Sequence, residues 1–330
     1  MNEPLLQIKD LYVNFRTYAG EVQAVRGVSL ALNAGESIAI VGESGCGKSV
    51  TAQSIMKLIP VPPGRYAGGQ IIFSGQDLLT KSEAEMQRVR GKRIGMIFQD
   101  PMTSLNPTMK VGKQIVEMLQ RHTDLTPAQQ RERAVEMLSL VGLPNPAKRF
   151  EQYPHEFSGG MRQRAMIAMA MACNPALLLA DEPTTALDVT IQAQILELMQ
   201  ELRAKLGTAI ILITHDLGVV AGFASRVLVM YAGKVVESAP TRQLFYHPQH
   251  PYTQGLLASV PRPAQGVRKK LQPIAGRPPD LLKPPPGCAF WPRCRRAMRV
   301  CQQLTPPEFT VQPGHTVSCW LMHEYARVTS

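Results

Sequence analysis

Gly42-Glu43-Ser44-Gly45-Cys46-Gly47-Lys48-Ser49 decides how the rest of this chain is read. Its glycines let successive backbone N–H groups turn toward one small hollow; a lysine and a hydroxyl follow. Such a loop is built for phosphate. The amides and a helix N-terminus attract the anion, Lys48 brings a positive charge to β and γ phosphates, and the Ser49 hydroxyl can ligate Mg²⁺. The flanks agree, since apolar Ser37–Val41 predicts a strand entering the loop and residues 49–59 predict a helix leaving it.

Outward from the loop, strands and helices alternate. Residues 5–15 and 22–32 read as strands separated by Ala19-Gly20, and 70–74 and 93–98 as two more. From about 100 to 172 the pattern turns helical, with Thr126-Pro127 as a cap and first helical residue and Gly142 as a stop. A buried strand is expected at Leu177–Ala180 and a long helix at 189–205 with Ile191, Ile195, Leu198, Met199 and Leu202 on one face. Strands over 209–214 and 226–231 complete this part. The alternation predicts an α/β fold, a mostly parallel sheet covered by helices, with a helical insertion.

A second constellation ends the strand at 177–180, where Asp181 and Glu182 bring two carboxylates to the carboxyl end of the sheet. Beside a phosphate loop, Asp181 can belong to the Mg²⁺ shell and Glu182 can polarise an attacking water.

The chain has 330 residues and a formal net charge of +11, which taken alone invites nucleic acid or an anionic membrane. The charge is unevenly placed. Residues 261–330 hold 11 Lys/Arg against 3 Asp/Glu, together with 12 of the 27 prolines and 4 of the 6 cysteines. Residues 1–260 carry only +3, so a boundary is expected near Pro261. No apolar run approaches the ~18 residues of a membrane helix; residues 165–180 come nearest and are broken by Asn174-Pro175. Met1-Asn2-Glu3-Pro4 has neither the basic start nor the apolar stretch of a secretion signal. A cytoplasmic chain is expected, with its cysteines reduced or metal-bound.

With the loop and the acidic strand end in place, the chain resembles the ATPase subunits of ABC transporters. Ser158-Gly159-Gly160-Met161-Arg162-Gln163-Arg164 is similar to that family's signature, which in a head-to-tail dimer caps the γ-phosphate of ATP held by the other subunit. The resemblance implies a P-loop NTPase cassette with a mixed sheet, an antiparallel β part and a helical subdomain over about 100–172. It makes Gln99 the Q-loop residue that senses Mg²⁺ with Ser49 and Asp181, places Asp188 in the D-loop Ala186-Leu187-Asp188, and makes His215 the switch histidine at the γ-phosphate. Tyr18 is the candidate aromatic for the adenine. Two positions depart from the pattern: Phe157 stands where the signature leads with leucine, and Met161 where it closes with glutamine.

Residues 98–107, Phe98-Gln99-Asp100-Pro101-Met102-Thr103-Ser104-Leu105-Asn106-Pro107, and the later His250-Pro251-Tyr252-Thr253 are similar to the D-type ATPase subunits of dipeptide and oligopeptide importers, as is the Pro- and Cys-rich tail. This implies a nucleotide-binding domain over 1–260 and a transporter-type C-terminal domain over 261–330. The implied partners are a second ABC ATPase subunit, two membrane permease subunits and a substrate-binding protein, with this chain peripheral on the cytoplasmic face of the inner membrane. Import of nickel or another small solute is the alternative within the family. A nucleic-acid-associated ABC ATPase is the competing class; a single cassette with an insertion of ordinary size weighs against it, and no nucleic acid is expected.

Cys288, Cys294, Cys301 and Cys319 are spaced C-x5-C-x6-C-x17-C. The spacing leaves zinc, an iron–sulfur cluster and free thiols open. The resemblance implies a [4Fe-4S] cluster on these four, because some members of the branch carry one. Arg293, Arg295, Arg296 and Arg299 are interleaved with the ligands, either to offset a negative cluster or as a solvated basic face. Cys46 and Cys173 read as a loop filler and a small core residue.

Overall fold

A computed structural model of the chain describes residues 3–100, 104–184, 188–260, 273–324 and 326. Its strands are β1 (Leu6–Thr17), β2 (Gly20–Leu32), β3 (Ser37–Val41), β4 (Gly64–Phe73), β5 (Gln76–Asp77), β6 (Ile94–Ile97), β7 (Leu177–Asp181), β8 (Ala209–Thr214), β9 (Arg226–Tyr231), β10 (Lys234–Pro240), β11 (Phe309–Gln312) and β12 (His315–Val317). The chain divides into two compact units. One gathers Leu32–Ser37 and Thr80–Ile213 behind a short N-terminal segment; the other gathers Leu6–Ala31, Ile38–Leu79 and the chain from Thr214 onward.

In the first unit β6, β7 and β8 lie parallel, with Ile94 opposite Leu177 and Leu177 opposite Ala209. Every residue of these strands is buried up to Asp181 in β7, as continuous apolar runs in a parallel sheet require. Around them stand the helices Val111–His122, Pro127–Leu140, Pro146–Phe150 and Gly159–Met171. The second of these starts on a capping box of Thr126 and Gln129 with Pro127 at its first turn, so the capping signal in the sequence is realised. The helix Val189–Leu206 is capped by Asp188, whose carboxylate accepts the Ile191 N–H at 2.9 Å. It buries Ile195, Leu198, Met199 and Leu202, while Ile191 of the expected face is only partly covered.

The second unit holds a four-stranded sheet, ordered β2-β1-β4-β5, and a mixed stretch of sheet. In the latter β3 and β9 are parallel, and β10, β12 and β11 follow antiparallel. Three outcomes differ from the sequence reading. The helix after the phosphate loop is Lys48–Ile55 and stops short of residue 59, because Met56 caps it and Lys57 turns to a φ of 51°. β4 starts at Gly64, well before residue 70, pairing with β1 across an irregular register between Lys9 and Val13. The C-terminal extension, read as Pro- and Cys-rich and given no elements, adds β11 and β12 to β10, with Glu237 opposite Val317. Strands of four and three residues are too short to leave a legible period.

Candidate functional site

The phosphate loop belongs to the second unit. β3 delivers the chain to Gly42, and Gly47 sits immediately before the first helical residue, Lys48. Gly42 and Gly47 have φ of +154° and +98°, and a Cβ on either would run into a main-chain carbonyl, of Met230 and Ala24 respectively. Only glycine satisfies both demands. Lys48 is 4% exposed, and its ammonium donates to the carbonyls of Gly42 at 2.8 Å and Glu43 at 3.0 Å. Cys46 is buried, and desolvation raises its thiol above the usual range, which keeps it protonated and unreactive beside the lysine. Ser49 is half-buried in the first helical turn, and Ser44 and Gly45 are exposed.

Two further groups hold this loop, and sequence reasoning assigned neither of them. The Glu43 N–H donates to the hydroxyl of Tyr252 at 2.9 Å, and Tyr252 is fully buried. The Glu43 carboxylate forms a two-pronged ion pair with Arg293, at 2.6 and 2.9 Å. Tyr252 lies in the His250-Pro251-Tyr252-Thr253 run, so its resemblance to a family motif was the available signal. Arg293 had no such signal. Of the interleaved arginines it faces the loop, neither offsetting the thiols nor lying in solvent; Arg295, Arg296 and Arg299 are exposed.

The first unit carries the acidic group. Asp181 closes β7 and is 4% exposed. Glu182 follows at a φ of 48°, uncommon for a residue with a Cβ, and its N–H donates to the Ile213 carbonyl at 2.9 Å. Gln99, two residues beyond β6, donates from Nε2 to Glu182 Oε2 at 3.2 Å. Parallel pairing of β6 with β7 brings these two together across 83 residues. In the same unit Ser158 and Gly159 are exposed at the start of the helix Gly159–Met171, where Ser158 Oγ accepts the Met161 N–H at 3.4 Å. Phe157 fills a buried position, and Met161 joins the cap through its main chain, so neither departure removes the helix end.

Tyr18 is fully exposed between β1 and β2, and His215 is exposed just after β8. Asp188 is described, whereas Ala186 and Leu187 of the D-loop, and Pro101, Met102 and Thr103, lie outside the described residues. Predicted site residues therefore occur in both units, Gln99, Ser158, Asp181, Glu182 and Asp188 in one and the phosphate loop, Tyr18 and His215 in the other.

In the tail the Cys288 N–H donates to the Cys301 carbonyl at 2.8 Å, and the Met298 N–H to Cys301 Sγ at 3.4 Å. Burial first, then the neighbouring cysteines, push the Cys288 thiol up to about 11 and that of Cys319 up to about 12. Among the described residues no group of three or more His, Cys, Asp or Glu is arranged to hold a metal ion. The expected [4Fe-4S] cluster is thus unsupported by the arrangement of these side chains. None of the described helices is long and apolar enough to cross a membrane.

Comparison with known proteins agrees with this anatomy. The ABC transporter family profile matches residues 25–185, and that of the oligopeptide/dipeptide transporter C-terminal region matches residues 236–301. The oligopeptide transport ATP-binding protein OppD of Bacillus subtilis is 61% identical over 319 residues, 97% of this chain and 89% of its own. The dipeptide transport ATP-binding protein DppD of Bacillus subtilis is 56% identical over 325 residues, 98% of this chain and 96% of its own. Among solved structures, the dimeric post-hydrolysis state of the ATP-binding cassette MJ0796 with ADP and Pi matches with a TM-score of 0.65 at 27% identity, covering 72% of this chain and 99% of that one. Phosphate loop, acidic strand end and signature helix, with identity above one half along nearly the whole length, show that the chain belongs to the ATP-hydrolysing subunits of ABC transporters, in the branch of the oligopeptide and dipeptide transport ATP-binding proteins.

Proposed function

We propose that this chain is the ATPase subunit that powers import of di- and oligopeptides, working with a second ABC ATPase subunit, two membrane permease subunits and a substrate-binding protein, on the cytoplasmic face of the membrane. The single observation that carries this is the 61% identity to an oligopeptide transport ATP-binding protein, extending over 97% of the chain.

The roles follow from the residues. In one unit the amides of Gly42–Lys48 and the Lys48 ammonium take the triphosphate, Ser49 is a Mg²⁺ ligand, Tyr18 stacks on adenine and His215 contacts the γ-phosphate. In the other, Asp181 and Gln99 belong to the Mg²⁺ shell and Glu182 aligns the attacking water, supported by the Gln99 hydrogen bond to its carboxylate. The bound Mg²⁺ supplies neutralising charge on the phosphates. Ser158, Gly159 and Gly160 offer a positive helix end to the nucleotide of a partner subunit, a role that the exposure of Ser158 and Gly159 supports, and Asp188 fixes the neighbouring helix start.

The tail thiols are proposed to take up a [4Fe-4S] cluster, with zinc as the alternative. The support is the likeness of the Cys-rich tail to the dipeptide and oligopeptide importer subunits, some of which carry such a cluster. No step of ATP hydrolysis runs through that group. Iron and sulfide in anaerobically purified protein are expected; zinc alone, or free thiols, contradicts the cluster.

The function is tested by reconstituting the chain with its permeases and binding protein. Peptide-loaded binding protein should stimulate ATP hydrolysis. Stimulation by a nickel chelate in place of peptides would overturn the peptide assignment.

A further inference from the structure

The C-terminal tail reaches the phosphate loop through the Arg293 side chain. Arg293 ends the short 3-10 turn Trp291–Arg293, directly before Cys294. Its side chain is 4% exposed, and every arm of the fork is occupied. Nη1 and Nη2 donate to the two carboxylate oxygens of Glu43, Nε to the Ala275 carbonyl at 3.0 Å, and Nη1 also to the Tyr231 hydroxyl at 3.3 Å. Tyr231, Tyr252 and Phe290 pack ring against ring beside it, with centroids 4.5 to 5.4 Å apart.

Glu43 is therefore gripped twice, its main chain by Tyr252 and its side chain by Arg293. Its carbonyl in turn accepts the Lys48 ammonium. A bidentate guanidinium–carboxylate pair adds geometric definition as well as attraction. It also neutralises the one carboxylate in a loop built to receive an anion; left unpaired, Glu43 would repel a triphosphate.

We propose that Arg293 is a positioning residue for the phosphate loop: by clamping and neutralising Glu43 from the C-terminal tail, it preorganises the loop for triphosphate and makes nucleotide affinity depend on the tail. The proposal rests on reading Gly42–Ser49 as the triphosphate cradle, and its test separates the two.

The measurement is equilibrium binding of ATP and, separately, of adenosine, which has base and sugar but no phosphate, to the full-length chain. The variants are Arg293→Met, Glu43→Gln, the two combined, and Lys48→Ala. Glu43→Gln nearly preserves shape, so it remains informative if Arg293→Met fails to fold. Arg293→Met, which leaves the Glu43 carboxylate unpaired, should weaken ATP binding about tenfold; Glu43→Gln, which loosens the clamp but removes the repelling charge, should weaken it less. Both should leave adenosine binding unmoved, and the pair should be clearly less than additive. Unchanged ATP affinity in both folded single variants, equal losses for ATP and adenosine, or additive losses would overturn the proposal. A Lys48→Ala chain that keeps full ATP affinity would instead remove the cradle reading itself, and the brace with it.

Discussion

The phosphate loop and the signature segment both lead glycines into a helix N-terminus, yet they are held in opposite ways. Distant parts of its own unit fix the loop: the Met230 and Ala24 carbonyls press on Gly42 and Gly47, Tyr252 holds the Glu43 N–H, and Arg293 holds its carboxylate. The signature start at Ser158 and Gly159 is exposed, with the Ser158 cap on the Met161 N–H as its local support. The difference matches the labour expected of them. Under the proposed function, a cradle that holds nucleotide within one subunit is rigid by construction, while a surface offered to a partner subunit stays open until the partner arrives.

Four variants or conditions press on this contrast. Glu182→Gln should lower ATP turnover about a thousandfold in single-turnover assays while ATP still binds, because the role proposed for the carboxylate held by Gln99 is on the water and not on nucleotide affinity. Turnover near wild type would remove Glu182 from its role. Gly42→Val should cost about 3 kcal/mol in denaturant unfolding and abolish ATP binding, since the Cβ meets the Met230 carbonyl. A folded, ATP-binding variant would mean that the loop is less tightly framed than described.

Acid tests the loop's supports next. Burial lowers His250 from its ordinary 6.5 to about 3, so it stays neutral, its Nδ1 accepting the Tyr252 N–H at 3.0 Å. The unfolded chain binds a proton near its ordinary value and the folded chain does not, so stability is full above about 6.5 and falls toward 3 by about 1.4 kcal/mol per pH unit. Unfolding titrations should show this slope in wild type and its loss in His250→Asn; identical slopes would refute it. The smallest effect belongs to the open region. Ser158→Ala should cost about 1 kcal/mol of helix-end stability and weaken ATP-dependent pairing with the partner subunit, read by size-exclusion chromatography. A cost as large as that of Gly42→Val would erase the contrast.

Much of this was legible because it is local. The glycines of the loop, the apolar run ending in Asp181 and the Ser158 cap are each dictated by conformation or patterning within a few residues. The Gln99–Glu182 bond needed only the parallel pairing of two strands that the pattern had already suggested. Arg293 and Glu43 lie 250 residues apart, and no local propensity couples an arginine in a Pro-rich tail to a loop glutamate. Only the folded tail, with β12 antiparallel to β10 and Phe290 packed on Tyr231 and Tyr252, creates that contact. The excess charge of the tail was legible as a number and illegible as a structure: one arginine is spent on the loop, and three neighbours are exposed.

The central claim, that ATP hydrolysis at Glu182 drives peptide import, is tested most directly by uptake of a labelled oligopeptide into proteoliposomes carrying the complete transporter, with wild-type chain or Glu182→Gln. Uptake that requires ATP and disappears with Glu182→Gln is the predicted result. Peptide uptake that persists with Glu182→Gln, or is absent with an ATP-hydrolysing wild-type chain, would contradict it.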